Sequence, residues 1–423
     1  MSKLVVIGQG YVGLPMALRA AEAGHEVTGL DLNGDTVASL NRGESHIGDV
    51  SNETLAAGLV GGYRAATDPS CIEDAEVVVV CVPTPLSSDG GPDLNAVEAT
   101  GRTIGQHISP GAVCILESTT YPGTTEEVFA PLVTSQGLKV GEDVFIAFSP
   151  ERIDPGNERY GVQNTPKVVG GMTPACTEKA REFYASFIDT VVTAKGAKEA
   201  EMAKLLENTF RHVNIALVNE MVRFSQELDI DLWNAIDAAA TKPFGYMAFR
   251  PGPGVGGHCI PIDPSYLSHR VKAKLGYAFR MVELAEEINH AAPAYVVTRV
   301  SRLLNQLEKP LNGSNIHLLG VTYKPNISDQ RESPAIPIAQ ELEAAGARVT
   351  YTDPYVNKWE YVTRAGARSC HTSLDIRTGC QQADIVVLLQ EHNCFDLQEI
   401  VDISANIIDT KAKAPIASNV ERL

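Results

Sequence analysis

The sequence predicts an α/β protein with two doubly wound domains joined by a long central helix. The first and last parts of the chain share one order of elements: a strand, a loop, a helix, and a strand that ends in an acidic residue. Each part later has a buried strand that follows an alanine–acid pair, at residues 75–82 and 383–389. Between them, residues 196–228 carry apolar side chains at helical spacing. This order predicts two Rossmann-like domains, at residues 1–195 and 311–423, with a helical region at 196–310.

Composition restricts the class of protein. The chain has 423 residues, 44% hydrophobic and 21% charged, as in soluble proteins of two to three domains. A net charge of −17 argues against nucleic acid or an anionic membrane as a partner. No apolar run approaches the roughly 20 residues of a membrane span, and the first strand begins too early for a signal peptide. The eight cysteines form no CxxC pair, so we expect reduced thiols in the cytoplasm and no metal.

A glycine motif in the first domain predicts a dinucleotide site. A strand at residues 4–7 leads into GxGxxG, a helix at 14–23 and a strand at 25–30 that ends at Asp31. The first glycine permits a tight turn, the second admits pyrophosphate, and the third allows helix and strand to pack. Asp31 would bind the ribose hydroxyls and repel a 2′-phosphate, which favours NAD over NADP. The predicted cofactor loop comprises Gly8, Gly10, Tyr11, Val12 and Gly13.

Two threonines follow buried strands of the same domain. Thr84 follows the strand at 75–82, and Thr119 follows a strand at 113–116. Ligands of open α/β sheets lie at the carboxyl ends of the strands, so both threonines are candidates for the nicotinamide side of the cleft. Threonines that cap the next helix would give the same pattern. Residues 145–148 are predicted as the last strand of this domain.

The central helix carries two polar residues on one face. Lys204 and Asn208 lie four residues apart, so their side chains point in the same direction. Lys204 is either a solvated surface lysine or, with Asn208, a donor in an active site, and periodicity does not decide between these. A second helix, at 278–307, contains Pro293 and should be kinked or split there. A long apolar helix between two domains also predicts a homodimer or higher homo-oligomer.

A loop rich in glycine and proline surrounds Cys259. Four glycines and three prolines fall within residues 252–264, a composition that excludes a continuous helix or a central strand. Cys259 is either an inert buried thiol or a reactive one, and the density of glycines favours the reactive thiol. Asp263 is close enough in sequence to serve the same centre.

The last domain lacks the GxGxxG motif. A strand at 315–319 leads into a loop that carries Lys324, Asp329 and Arg331, and a later strand ends at Asp353. We therefore expect this domain to bind something other than NAD, with the polar residues of its first loop facing the cleft between the domains.

Seven motifs in order resemble those of the UDP-glucose/UDP-N-acetylhexosamine/GDP-mannose 6-dehydrogenase family. They are GQGYVG (8–13), PTP (83–85), ESTTYPGTTEE (117–127), SPER (149–152), AEMAKLLENT (200–209), PGPGVGGHCIPIDP (251–264) and GVTYKPNISDQRESP (320–334). The resemblance covers essentially the whole chain. It implies an NAD-dependent enzyme that oxidises a sugar C6 alcohol to a carboxylate in two hydride transfers.

The resemblance also implies roles for single residues. Cys259 would be the nucleophile, and Arg331 would lie on the cofactor side. The other implied catalytic residues are Lys204, Asn208, Asp263, Glu151 and Thr119. The implied substrate-binding residues are Glu151, Arg152, Lys204, Asn208, Arg250, Gly256 and Lys324.

Some positions depart from the family pattern, and these positions affect which sugar is predicted for the substrate. UDP-glucose members commonly carry a lysine and a second glutamate where this chain has Ile262 and Pro155. GGHC and ERIDPG resemble the N-acetylhexosamine branch, and ESTTYPGTTEE and TKPFG (241–245) resemble its UDP-N-acetylglucosamine members. Arg250 replaces a frequent aromatic residue and either grips phosphate or faces solvent. UDP-N-acetylglucosamine is therefore the predicted substrate.

Four other functions stay open. UDP-glucose and UDP-N-acetylmannosamine are the alternative sugars for the same machinery. Cys259 within its glycine loop argues against a hydroxy-acid dehydrogenase, which would need no thiol, and the presence of every matched polar residue argues against a non-catalytic nucleotide-sugar sensor.

Overall fold

The computed structural model describes residues 1–48, 50–87, 91–153, 157, 159–257 and 260–423. The chain forms two compact units. Unit 1 comprises Met1–Glu207 and Ser265–Gly276, and unit 2 comprises Asn208–Pro264 and Tyr277–Leu423. The division into three regions stays a prediction.

Within the described residues of unit 1, eight strands form one sheet in the order β3-β2-β1-β4-β5-β6-β7-β8. Strands β1 to β6 are parallel, β7 is antiparallel to β6, and β8 is parallel to β7. The strands are β1 Lys3–Ile7, β2 Glu26–Leu30, β3 Tyr63–Ala66, β4 Val77–Val80, β5 Val113–Leu116, β6 Phe145–Phe148, β7 Lys167–Gly171 and β8 Val191–Thr193.

The helices of unit 1 cover both faces of this sheet. Along β1, Leu4 and Val6 belong to one apolar core, whereas Val5 and Ile7 belong to another. A strand that is buried on both faces is typical of a doubly wound domain, so the predicted fold class is confirmed. The helices are α1 Gly13–Glu22, α2 Gly34–Asn41, α3 Asn52–Val60, α4 Asn95–His107, α5 Ala130–Val133, which continues a π-helical turn at Thr125–Phe129, and α6 Pro174–Ala185.

The prediction that β6 is the last strand of the first domain was wrong, because β7 and β8 follow it. Strand β7 ends in Gly170 and Gly171, which in the sequence suggest a loop. In the structure a Cβ on Gly170 would overlap the carbonyl of Gly196, and one on Gly171 would overlap Cys176. These glycines therefore allow close packing inside a sheet rather than ending it.

Long helices connect the two sheets. Helix α7, Ala197–Glu227, crosses from unit 1 into unit 2 after Glu207. It is followed by α8 Leu232–Ala240, α9 Asp263–Leu275 and α10 Arg280–Gln306. Helix α10 continues through Pro293, so it is not split there, and a kink at Pro293 stays a prediction. Proline removes a single amide donor, and buried residues on both sides, including Asn289 and Val296, hold the two halves in one helix.

Unit 2 contains the second doubly wound sheet. Among its described residues, five parallel strands have the order β10-β9-β13-β14-β15. A separate antiparallel hairpin, β11–β12, packs Trp359 against Tyr351 and Tyr361. The elements are β9 Asn315–Leu319, α11 Ala335–Ala344, β10 Arg348–Thr352, β11 Lys358–Val362, β12 Arg368–Thr372, α12 Ile376–Gln382, β13 Ile385–Leu388, α13 Leu397–Ile403, β14 Ile407–Asp409 and β15 Val420–Arg422.

Across the described part of the chain, no helix is both long enough and apolar enough to span a membrane.

Candidate active site

The glycine loop after β1 has the shape that a dinucleotide requires. Gly8 has φ +92°, and its N–H donates to the carbonyl of Leu30 at 2.8 Å. A Cβ on Gly13 would overlap the carbonyl oxygen of Gly8, which explains the close approach of α1 to β1. A Cβ on Gly10 would meet no atom of the described residues within 4 Å. The loop therefore leaves open space at Gly10, where the motif places pyrophosphate.

Asp31 lies beside this loop. One carboxylate oxygen accepts the N–H of Gln9 at 2.9 Å, and the other accepts the N–H of Asn33 at 2.9 Å. The buried Gln9 side chain donates to the carbonyl of Val6 at 2.8 Å and accepts from the Tyr63 hydroxyl at 2.8 Å. Burial, with a smaller contribution from Asp31, raises the pKa of Tyr63, which keeps this hydroxyl a donor. Gln9 was not predicted, because the motif leaves its position unspecified.

Thr84 and Thr119 lie together at the carboxyl ends of β4 and β5. The Thr84 hydroxyl donates to the carbonyl of Thr119 at 2.8 Å, so it ties two loops together instead of capping a helix. The Tyr266 hydroxyl in turn donates to the Thr84 carbonyl. Next to Thr119, the hydroxyl of Thr120 is buried and has no hydrogen-bond partner among the described residues. A buried hydroxyl without a partner is a candidate for binding a ligand or water, and the sequence had singled out only Thr119.

Glu151 lies in a buried polar cluster. Its Oε1 accepts the N–H of Ile153, and its Oε2 lies 3.4 Å from Lys167 Nζ. The same ammonium lies 2.9 Å from Glu117 Oε1, which also accepts from the Tyr184 hydroxyl. Sequence reasoning identified Glu151 by its motif but missed Lys167 and Tyr184, which belong to elements that the sheet brings together.

The Arg152 side chain pairs with residues of its own unit, unit 1. Its guanidinium forms a salt bridge with Glu207 at 2.7 Å and donates to the carbonyl of Pro166 at 2.7 Å. Tyr11 of the glycine loop is partly exposed. The binding roles predicted for both residues stay predictions.

Helix α7 holds the predicted polar pair. Lys204 and Asn208 are each 7% exposed, so the reading of Lys204 as a solvated surface lysine was wrong. The amide of Asn208 donates to Asp263 Oδ2 at 2.6 Å, and Asp263 is the first residue of α9. The structure therefore joins two of the predicted catalytic residues, 55 positions apart in sequence, through one buried hydrogen bond.

His258 and Cys259 lie outside the described residues, as does Pro155. The preceding part of the loop is packed tightly within unit 2. A Cβ on Gly256 would lie 2.7 Å from both Tyr323 Cβ and the Glu332 carbonyl oxygen. The N–H of Gly257 donates to the carbonyl of Arg331 at 3.0 Å. The loop before Cys259 is thus shaped by the segment 320–334.

Asp353 and His392 hold the loop after β9 by hydrogen bonds to its backbone. Asp353 Oδ2 accepts the N–H of Val321 at 2.7 Å and lies 3.2 Å from His392 Nε2. His392 Nδ1 accepts the N–H of Asn326 at 2.9 Å, so the ring proton is on Nε2 and faces the carboxylate. The acid at the end of β10 therefore holds the loop of Lys324 through a backbone N–H, as Asp31 holds the glycine loop through the N–H of Gln9.

Two predicted arginines are paired with carboxylates. Arg331 bonds Asp329, with a shortest distance of 2.6 Å. Arg250 bonds Asp237, lies 5.8 Å from the Trp233 ring and is about half exposed. Contact of Arg250 with phosphate stays a prediction.

A basic residue that sequence reasoning missed follows β14. Lys411 lies at the carboxyl end of a parallel sheet, the edge where the loops after β9 and β13 also lie. Burial lowers the pKa of Lys411, and the charges of Glu391 and Asp409 oppose this effect. A cation at that edge suits a phosphate ligand. Within the described residues, no group of three His, Cys, Asp or Glu side chains could hold a metal ion.

Comparisons with known proteins identify the family of this chain. Three family models match in order: the NAD binding domain (residues 2–188), the central domain (198–291) and the UDP binding domain (317–416) of the UDP-glucose/GDP-mannose dehydrogenase family. UDP-N-acetyl-D-mannosamine dehydrogenase of Methanocaldococcus jannaschii is 33% identical over 97% of this chain and 92% of its own length. NDP-N-acetyl-D-galactosaminuronic acid dehydrogenase of Ralstonia nicotianae is 34% identical over 96% and 95%. The structure of UDP-D-ManNAc dehydrogenase from Pyrococcus horikoshii has a TM-score of 0.88 at 30% identity and covers 99% of this chain and 98% of its own.

The fold, the dinucleotide loop and these matches define an NAD-dependent nucleotide-sugar dehydrogenase. The chain belongs to the UDP-glucose/GDP-mannose dehydrogenase family.

Proposed function

We propose that this protein oxidises the C6 alcohol of a UDP-N-acetylhexosamine to a carboxylate, a four-electron oxidation that uses two NAD. The observation that carries the proposal is the buried hydrogen bond between Asn208 and Asp263, four residues after Cys259. Burying an amide and a carboxylate is costly unless each has a partner, so such a pair is typical of a functional centre.

The first oxidation gives an aldehyde. A carboxylate takes the proton of the C6 hydroxyl while hydride leaves C6. NAD supplies the hydride acceptor for this and the later oxidation. Glu151, buried three residues after the end of β6, is our candidate base for this proton.

Cys259 divides the remaining chemistry into two steps. Its thiolate adds to the aldehyde carbon, and the carbonyl oxygen takes up a proton, which gives a thiohemiacetal. That carbon again carries both hydrogen and a hydroxyl, so loss of a hydride and the hydroxyl proton yields a thioester. Lys204 and Asn208 are the candidate donors to the developing oxyanion.

Hydrolysis completes the reaction. A water molecule loses a proton to a base and attacks the thioester carbon, and the C–S bond breaks to release the uronate and the thiolate. Asp263, and Glu151 acting through a water molecule, are the candidate bases. The family resemblance makes Lys204 a polar partner of Cys259, and a cation beside a thiol favours its thiolate form.

The names of the relatives help to rank the candidate sugars of the substrate. Motifs in the sequence predicted UDP-N-acetylglucosamine, whereas relatives 33% and 34% identical are named for N-acetylmannosamine and N-acetylgalactosaminuronic acid. We therefore place UDP-N-acetylmannosamine ahead of UDP-N-acetylglucosamine, with UDP-glucose as the candidate outside the N-acetylhexosamine class.

A substrate panel tests this proposal. The purified protein and NAD are mixed with the UDP forms of N-acetylmannosamine, N-acetylglucosamine, N-acetylgalactosamine and glucose, and with GDP-mannose, and kcat/KM is measured from NADH formation. We expect an N-acetylhexosamine to exceed UDP-glucose by about ten-fold or more, because a site that binds the acetamido group leaves polar groups unpaired with glucose. Preference for UDP-glucose, or no NAD reduction with any sugar, would contradict the proposal.

The role of the thiol is tested by Cys259→Ala. We expect uronate formation to fall roughly a thousand-fold or more. Cys394→Ala, which changes an exposed cysteine of unit 2, is the matched control and should keep wild-type turnover. Full turnover of Cys259→Ala to the uronate would rule out covalent catalysis.

A further inference from the structure

The segment that carries Glu151 is fixed by three side chains to residues 166–168, where strand β7 begins. Ser149 Oγ donates to the carbonyl of Val168 at 2.8 Å, and Lys167 Nζ reaches Glu151 Oε2 at 3.4 Å. Arg152 donates to the carbonyl just before Lys167 at 2.7 Å. Three successive attachments leave the Glu151 carboxylate little freedom to turn away from Lys167.

The cluster around Lys167 draws on five elements. Glu117 follows β5, Glu151 follows β6, Lys167 begins β7, and Tyr184 belongs to α6. All four residues are buried. Cys81, just after β4, completes the surroundings, with Sγ 4.0 Å from Glu117 Oε2.

One ammonium is shared between two carboxylates. Burial alone would lower the pKa of Lys167, but the charges of Glu117 and Glu151 outweigh burial and raise it, so the ammonium stays charged at neutral pH. Burial raises the pKa of Glu117, Lys167 opposes this shift, and Glu151 adds to it. A buried ammonium needs only one carboxylate to form an ion pair. Burying a second carboxylate costs further desolvation free energy, and one ammonium cannot balance both negative charges. The second carboxylate is therefore explained by a role other than stability.

We propose that Lys167 is a positioning residue for Glu151, whose ammonium holds that carboxylate ionised and oriented, and that Glu117 limits this effect by competing for the same ammonium. The inference rests on the proposed function, because it takes Glu151 as a base in the reaction. Arg152 is engaged by Glu207 at 2.7 Å, which leaves Lys167 as the cation nearest the Glu151 carboxylate among the described residues.

Two substitutions should move the pH dependence in opposite directions. Lys167→Met removes the cation that favours the ionised Glu151, so the acid limb of the kcat profile should move to higher pH by about one unit or more. In Glu117→Gln the Lys167 ammonium no longer interacts with a carboxylate at position 117 and acts on Glu151, so the acid limb of the kcat profile should move to lower pH. KM for the sugar and for NAD should stay within about two-fold in both variants, and Lys167→Arg should restore the wild-type limb.

A direct titration separates this inference from the proposed function. The protein is labelled with carbon-13 at the glutamate carboxyls, and the Glu151 signal is identified by its loss in Glu151→Gln. Opposite shifts of its titration midpoint in Lys167→Met and Glu117→Gln would support the positioning role even if no nucleotide sugar were oxidised, in which case only the proposed function fails.

Other outcomes overturn the inference. Shifts in the same direction, or no shift in folded variants, would show that the cluster is only structural. If Lys167→Met does not fold, the proposal is tested with Glu117→Gln, in which Lys167 stays paired with Glu151. An acid limb at wild-type pH in folded Glu117→Gln would then contradict the proposal.

Discussion

At the scale of the residue, two glycines of one loop differ sharply in their surroundings. Gly256 faces Tyr323 and the carbonyl of Glu332, and a Cβ there would lie 2.7 Å from an atom of each. A Cβ on Gly252 would meet no atom of the described residues within 4 Å. The backbone before Cys259 is therefore held against the loop of Lys324 at Gly256 and not at Gly252.

This difference gives a paired prediction. Gly256→Ala should force the loop away from Tyr323 at a cost of about 1–3 kcal/mol in stability, and kcat should fall about ten-fold or more because Gly256 is only three positions before Cys259 in the sequence. Gly252→Ala is the control and should keep kcat within about two-fold. Stability is measured by urea denaturation and kcat by NADH formation. Equal effects of the two substitutions would show that the contact with Tyr323 does not position the loop.

Motifs predicted some of the candidate site residues and could not predict others. Asn208 and Asp263 were named from sequence because each stands in a dense motif, and the structure joins them. Lys167 and Tyr184 had no such signal, because their roles arise from partners on other elements. Gln9 stands in the glycine motif, but at a position that the motif leaves unspecified. Periodicity left Lys204 undecided because burial depends on what packs against a helix, which a single helix pattern does not contain.

At the scale of the element, helices α7 and α10 meet through a buried polar contact. Asn289 donates to the carbonyl of His212 at 3.2 Å, and Asn219 donates to Asn289 at 3.0 Å. Burial, with a smaller effect of His290, lowers the pKa of His212 to about 4. The folded protein thus holds this ring neutral at a pH where an unfolded chain would bind a proton.

The stability of unit 2 should therefore fall in mild acid. The pKa of His212 is lowered on folding from 6.5 to about 4. The unfolded state takes up the proton first as pH drops, and about 2–3 kcal/mol should be lost between those two values. His212→Gln should lose less over the same range, whereas the exposed His46→Gln should behave like wild type.

Both tryptophans, Trp233 and Trp359, belong to unit 2, so urea denaturation followed by tryptophan fluorescence reports on this unit. The same pH dependence in wild type and His212→Gln would show that His212 is not held neutral.

At the scale of the whole molecule, one face of α7 presents apolar side chains to solvent. Phe210, Leu217 and Phe224, seven residues apart, are 46%, 55% and 47% exposed, and Leu206 is 63% exposed. Large exposed apolar side chains along one helix are typical of a protein–protein interface. A second copy of this chain is the expected partner, because the repeating pattern suits an interface between like helices.

We predict a homodimer or higher homo-oligomer at micromolar concentration, measured by light scattering after size exclusion. Leu217→Asp should shift the protein toward the monomer, because a carboxylate would be buried without a partner. Ile416→Asp changes an apolar residue that is 87% exposed elsewhere in unit 2 and should leave the oligomer intact. A monomeric wild-type protein would contradict the prediction.

The overall architecture was largely predictable, since two repeats of strand, helix and acid-terminated strand predict two doubly wound sheets. Strands β7 and β8 were missed because β7 ends in the pair Gly170–Gly171 and β8 has only three residues. The hairpin β11–β12 was missed too, because its stability depends on Trp359 packing against Tyr351 from another strand.

The proposed mechanism requires a sulfur-bound intermediate between two oxidations at one carbon. The direct measurement is the number of NADH formed per UDP-N-acetylhexosamine consumed, with the product identified by mass. We predict two NADH and a uronate for the wild-type protein. One NADH per sugar, with an aldehyde released as the product, would contradict it.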